Sequence, residues 1–221
     1  MPPSQQHAEI LAPAGGEAQL RAAVTCGADA VYLGLRGFNA RAGAENFAES
    51  TLAQTVGWCH ARGVRVYVTL NTLITDRELP RWLQSLDAVA AAGADGVIVQ
   101  DLGLTGVIRR RYPTLPLHAS TQMSVHNLAG ARQLEQLGFD WVVLARELTA
   151  AEIGAICSGT SLQCEVFVHG ALCMSVSGQC YLSSMLGERS GNRGACAQPC
   201  RLNFQSHGRS HALSLKDLTL T

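Results

Sequence analysis

Apolar and polar positions alternate along the first 170 residues in two interleaved periods. Short β-branched runs recur at 30–35, 64–70, 96–100, 117–120, 141–145 and 163–168, each reading as a strand. Between them lie longer stretches with apolar positions three to four apart, at 17–26, 50–62, 78–92, 102–112, 127–137 and 150–157, which predict helices. Residues 9–12 supply a further strand ahead of the first helix. Several helices run into a glycine (Gly27, Gly63, Gly93, Gly138), the residue that tolerates the left-handed C-cap. The phrases Cys-Gly-Ala-Asp-Ala-Val at 26–31, Ala-Gly-Ala-Asp-Gly-Val at 92–97 and Leu-Gly-Phe-Asp-Trp-Val at 137–142 form a degenerate repeat that feeds each following strand.

Seven βα units of this kind predict an α/β fold of the TIM-type (βα) barrel class rather than a doubly wound sheet. Ala12-Pro13-Ala14-Gly15-Gly16 is no dinucleotide-binding fingerprint. After Gly170 the alternation stops, and 171–211 reads as an irregular excursion rich in Gly, Ser, Arg and Cys. Residues 212–215 and 217–220 resemble the start of a last barrel unit. The expected organisation is therefore barrel units over 1–170, a Cys-rich metal-binding excursion over 171–211, and a last unit begun at 212–221 in a barrel incomplete at its C-terminus.

Composition narrows the class without changing it. The 221 residues are 47% hydrophobic and 15% charged, which excludes a disordered chain, and the formal net charge is zero. No apolar run approaches the ~18 residues of a membrane span and no signal peptide is visible, so a cytoplasmic location is expected. Eight cysteines under those conditions point to metal binding or thiol chemistry rather than structural disulfides. Cys26, Cys59, Cys157 and Cys164 are scattered among predicted helices and strands and are expected in the core. Cys173, Cys180, Cys196 and Cys200 are clustered as Cys-x6-Cys-x15-Cys-x3-Cys. Neither wide gap resembles a zinc knuckle, yet spacing alone leaves an iron–sulfur cluster, zinc, and free or redox-active thiols all open.

Polar residues gather where the strands should end, the face on which barrel enzymes place their active sites. Asn71, Gln100, Asp101, Gln122, Arg146, Glu147, Glu165 and His169 all fall there. Any one could instead cap a helix, but together they predict a polar pocket, with Gln122, Arg146, Glu147, Glu165 and His169 as candidate catalytic residues. The excursion is locally basic, and Arg189, Arg193 and Arg201 are candidates for RNA phosphate, against the plainer reading of a solvated loop. No Gly-x-Ser-x-Gly elbow or His-Glu-x-x-His helix is present, although a Cys173–His169 pair could serve a peptidase.

The stretch 165–183 resembles the signature of peptidase family U32, the collagenase-like proteases, through Glu165, Phe167, Gly170, Ala171, Leu172, Cys173, Gly178, Cys180, Leu182 and Ser183. His-Ala-Ser-Thr-Gln at 118–122, Leu-Ala-Arg-Glu-Leu at 144–148 and Arg-Gly-Ala-Cys-Ala-Gln-Pro-Cys-Arg at 193–201 also look like that family. The resemblance implies a 4Fe–4S cluster on Cys173, Cys180, Cys196 and Cys200. It also implies an oxygen-independent hydroxylation of an RNA base, 5-hydroxycytidine in 23S rRNA or 5-hydroxyuridine in tRNA, with prephenate as a co-substrate and rRNA or tRNA as partner. The phrases look closest to the ribosomal RNA branch. A collagenase-like peptidase, and a cluster-binding scaffold that works with a partner subunit, are the other functions the resemblance implies.

Overall fold

The computed structural model describes residues 8–170 and 173–212. Seven strands, β1 (Leu11–Ala14), β2 (Ala30–Gly34), β3 (Arg65–Leu70), β4 (Gly96–Val99), β5 (Leu117–Ala119), β6 (Trp141–Val143) and β7 (Gln163–Glu165), form one parallel sheet in sequential order. Helices α1 (Glu17–Thr25), α2 (Glu49–His60), α3 (Leu79–Ala91), α4 (Leu102–Arg111), α5 (Leu128–Gln136) and α6 (Ala150–Gly159) follow β1 to β6 in turn. Sequential order with a helix after each strand is the topology of a TIM-type barrel, here curled but unclosed: among the described residues β1 and β7 do not pair.

Alternation along the strands produces two layers. Val31, Leu33, Val66, Val68, Leu70, Val97, Val99, Leu117, Val142 and Leu144 face the helices and pack against Leu20, Leu52, Val56, Trp82, Leu86, Ile108, Leu134 and Ile156 in one core. Ala30, Tyr32, Tyr67 and Ile98 face the barrel axis instead. Tyr67 packs at a tilt against His118, with ring centroids 4.4 Å apart, and His118 stacks on Trp141 at 5.0 Å. His118 is fully buried, and burial pushes its imidazole down to about 3, so it is a neutral packing element.

The recurring Gly-x-Asp phrase has a structural role. Gly27, Gly93 and Gly138 take φ of 88°, 74° and 85° and end their helices. The aspartate then accepts a backbone N–H at the start of an earlier strand: Ile10 to Asp29 at 2.8 Å, Val66 to Asp95 at 2.7 Å, and Leu117 to Asp140 at 2.8 Å. Each repeat thus pins the N-terminal end of a neighbouring strand and leaves the C-terminal ends free for chemistry.

Three expectations change. Strand β7 stops at Glu165 rather than Val168, because β6 offers no partner beyond Val143 and the edge leaves Val166 and Val168 exposed. Of the scattered cysteines only Cys59 is fully buried; Cys164 packs at the core margin, while Cys26 beyond α1 and Cys157 on α6 are exposed. The excursion is more regular than its composition suggests. It holds a short helix α7 (Leu182–Gly187) and an antiparallel hairpin of β8 (Asn203–Ser206) and β9 (Arg209–Ala212) about His207-Gly208, both with positive φ. Ala212 ends that hairpin rather than opening a barrel strand, and 213–221 lie outside the described residues. No helix among the described residues is long and apolar enough to cross a membrane.

Candidate active site

The C-terminal strand ends surround a cavity of about 360 Å³. Its wall includes Tyr32 and Gly34 of β2, Thr69 of β3, Ile98 of β4, Val143 of β6 and Glu165 of β7. Asn39, Arg41, Asn46, Asn71, Ser120, Gln122, Arg146, Phe167 and Cys173 come from the loops above. The volume is in the range of small-molecule sites.

The loop after β2 is built by amides. Asn39, 1% exposed, donates to Leu35 O at 2.5 Å and accepts Arg41 N at 2.7 Å, while Asn71 accepts Ala40 N at 2.9 Å. A side chain at Gly34 would stand 2.7 Å from the Asn39 amide, so glycine is required for that approach. Arg41 then donates to the Tyr32 hydroxyl at 2.6 Å and lies 5.1 Å from the centre of its ring.

The excursion is clamped over this mouth from two sides. Ser177, fully buried, donates its N–H to Glu147 at 2.9 Å, its hydroxyl accepts from Arg146 Nε at 3.2 Å, and its carbonyl accepts from Ser124. Gly178 then presses on the Gln122 backbone. On the far side Gly194 packs against Asn39, its carbonyl accepts Ala42 N at 3.1 Å, and Arg193 pairs with Glu78 and donates to Leu73 O at 3.0 Å.

Among the predicted catalytic residues, Gln122, Arg146 and Glu165 meet at the cavity. Glu147 and His169 do not line it: Glu147 holds Ser177 and lies 3.5 Å from His126, and His169 is exposed beyond β7. Arg193, expected to face phosphate, is taken up by Glu78, and Arg189 Nε donates to Ala195 O at 3.0 Å; Arg201 sits in the turn that precedes β8. Asp101 caps α4 through Gly103 N at 2.9 Å and accepts Ile74 N at 3.1 Å. Tyr32, Asn39 and Arg41 were not singled out from the sequence, and Phe167 stood out only as part of the 165–183 signature. The polar run Arg36-Gly37-Phe38-Asn39-Ala40-Arg41 directly after a strand was the available signal for two of them.

Three groups in the cavity are electrostatically unusual: Tyr32, whose hydroxyl burial pushes up, Glu165 and Cys173. Burial, and then the charge of Glu9, raise the Glu165 carboxyl to about 7, so it exchanges a proton near neutrality. For the Cys173 thiol burial acts upward, but hydrogen bonds from Ser175 and the Arg146 guanidinium outweigh it and leave the thiol below its ordinary value.

Four thiols are suitable donors for an iron–sulfur cluster, but these are not gathered. Cys173 lines the cavity 3.5 Å from Ser175 Oγ, and Cys196 Sγ accepts Gln198 N at 3.3 Å. Among the described residues no group of three or more His, Cys, Asp or Glu is placed to hold a metal ion.

The model of peptidase family U32 matches residues 15–221. The chain belongs to that family. A U32 peptidase of known structure, Mk0906, superposes with a TM-score of 0.59 at 19% identity, covering 74% of this chain and 69% of its own, which supports the shared fold. Among curated relatives, a 23S rRNA 5-hydroxycytidine synthase of Escherichia coli is 41% identical over 97% of this chain and 33% of its own length. A tRNA hydroxylation protein of Bacillus subtilis is 37% identical over 89% of this chain and 46% of its own. A collagenase of Porphyromonas gingivalis is 36% identical over 94% and 52%. The U32 chain thus spans between a third and about half of these relatives.

Proposed function

We propose that this chain carries the base-binding core of an RNA-modifying enzyme that hydroxylates a pyrimidine base without molecular oxygen, forming 5-hydroxycytidine in 23S rRNA or 5-hydroxyuridine in tRNA. The observation that carries the reading is the cavity itself: amide, carboxyl and aromatic groups converge on a space suited to one extruded base. The activities named for the E. coli and B. subtilis relatives suggest the reaction class. Tyr32 and Phe167 would flank the base, Arg146 would orient the Cys173 side of the pocket, and Glu165 would hold or release a proton beside it.

Nucleoside mass spectrometry of a deletion strain tests this. 5-Hydroxycytidine or 5-hydroxyuridine should vanish and return with the wild-type gene but not with Cys173→Ala; an unchanged nucleoside profile refutes it. The cluster is a separate proposal that rests on donor chemistry alone: bound, it would supply electron transfer. Anaerobically purified protein should absorb broadly near ~400 nm with about four irons per chain; a colourless protein with one zinc refutes that. Prephenate as co-substrate is tested by the loss of the modified base in a prephenate-deficient strain.

The collagenase relative favours a second reading, a peptidase with Cys173 as its thiol. Cleavage of gelatin by the purified chain, abolished in Cys173→Ala, would put that reading first.

A further inference from the structure

Most polar groups in the cavity are already engaged. Asn39, Asn46 and Asn71 bind backbone, Arg41 binds Tyr32, and Arg146 binds Ser177. Two are not. The side-chain carbonyl of Gln122 is buried without a hydrogen-bond partner, an unfavourable state that a donor on a ligand would relieve. Glu165 lines the same cavity beside Phe167, and among the described residues its carboxyl makes no side-chain hydrogen bond and no ion pair. Both residues border the cavity.

Resting on the base-pocket reading, we propose that Gln122 and Glu165 are the specificity-determining pair that selects cytosine over uracil, each accepting one hydrogen of the exocyclic amine. Cytosine presents that two-hydrogen donor next to the N3 acceptor, whereas uracil presents a carbonyl at the amine's position. A buried carbonyl such as Gln122 Oε1 meets a donor in the first case and a second set of lone pairs in the second. N3 needs a donor, which a carboxylate cannot supply but a carboxylic acid can. Glu165 therefore binds as the neutral acid. Its surroundings favour that form: burial first, then the negative Glu9 before β1, raise it to about 7. The other charged or titratable groups that line the cavity are Tyr32, Arg41, Arg146 and Cys173, and none of them is paired with it.

The test uses the 221-residue chain and single-stranded oligoadenylate heptamers with one central cytidine or uridine, bound at pH 6 and pH 8. Wild type should prefer the cytidine heptamer at least tenfold at pH 6. Its affinity should fall about tenfold by pH 8, as a group titrating near 7 requires. E165Q, whose amide keeps one donor and one acceptor, should retain binding at pH 6 and lose the pH dependence. Q122L should erase the cytidine preference and keep the pH dependence. Equal binding of both heptamers by wild type, or a pH dependence that survives in E165Q, overturns the assignment while leaving a base pocket in place. Absence of binding to either heptamer overturns the base-pocket reading and the assignment together.

Discussion

Gly178→Ala should detach the cysteine-bearing excursion from the barrel mouth without unfolding the barrel. Gly178 has φ of 74°, and a Cβ there would stand 2.3 Å from the Gln122 carbonyl oxygen, 2.9 Å from its carbon and 2.9 Å from its Cα. All three are backbone atoms, so no side chain can rotate away. The left-handed conformation alone costs a non-glycine residue roughly 1–2 kcal/mol, and relief of the overlap requires the two backbones to part by about 1 Å. A combined penalty of about 3 kcal/mol exceeds what the hydrogen bonds of the neighbouring Ser177 return. Yet no residue beyond Cys164 belongs to the main core, so the penalty should stay local. Hydrogen exchange read by mass spectrometry is the assay. Peptides within 173–201 should lose protection by roughly a hundredfold, the exchange equivalent of about 3 kcal/mol, while peptides from β3 and α3 keep theirs. Unchanged exchange in the excursion would show that the contact with Gln122 does not hold it. Equal loss everywhere would show that the excursion and barrel unfold as one unit.

Three further outcomes follow from the geometry. Glu165 has a folded value near 7 against an ordinary 4.5, so the folded chain binds more protons than the unfolded one between them, and stability falls as pH rises through that window. Glu165→Gln should therefore stabilise the chain at pH 8 by roughly 2–3 kcal/mol and have little effect at pH 4.5; a thermal melt with no pH-dependent difference refutes this. Asp95→Ala strands the N–H of the fully buried Val66, and should lower the urea midpoint by an equivalent of about 1–3 kcal/mol, more than Asp29→Ala, whose partner Ile10 is 58% exposed; the reverse order would refute the burial argument. Gly57→Ala inside α2, where an added Cβ meets nothing, should raise stability by about 0.5–1 kcal/mol in the same urea titration; a destabilised variant would show a contact that the open space excludes.

Much of the barrel was legible because its signals are local. Helix-stopping glycines, the Gly-x-Asp phrase and β-branched runs act within a few residues, and each appears where expected. The hairpin at 203–212 was missed although His207-Gly208 is a two-residue turn signal, because its flanks lack an apolar alternation to draw attention. The site was legible only as a set. Which polar residues line it depends on how the chain turns after each strand: Arg146 reaches the cavity, whereas its neighbour Glu147 engages Ser177. Arg193 looked free for phosphate, and its ion pair with Glu78, 115 positions away, could not be read from charge spacing.

The same distinction bears on the motif around the cysteines. Ser177-Gly178 and Arg193-Gly194 are dipeptides that help dock the excursion, and both glycines sit at positive φ with backbone within 2.3 Å of where a Cβ would be. Each glycine precedes a cysteine by two residues: Gly178 comes before Cys180 and Gly194 before Cys196. Part of the signature is therefore explained by docking onto the mouth, independently of any metal. The two demands separate experimentally. If the cysteines serve only a cluster, Cys180→Ser and Cys196→Ser should abolish iron binding and leave hydrogen exchange of the docked dipeptides unchanged. If exchange rises as far as in Gly178→Ala, the thiols and the clamp form one unit, and iron content alone cannot assign the cysteines a ligand role.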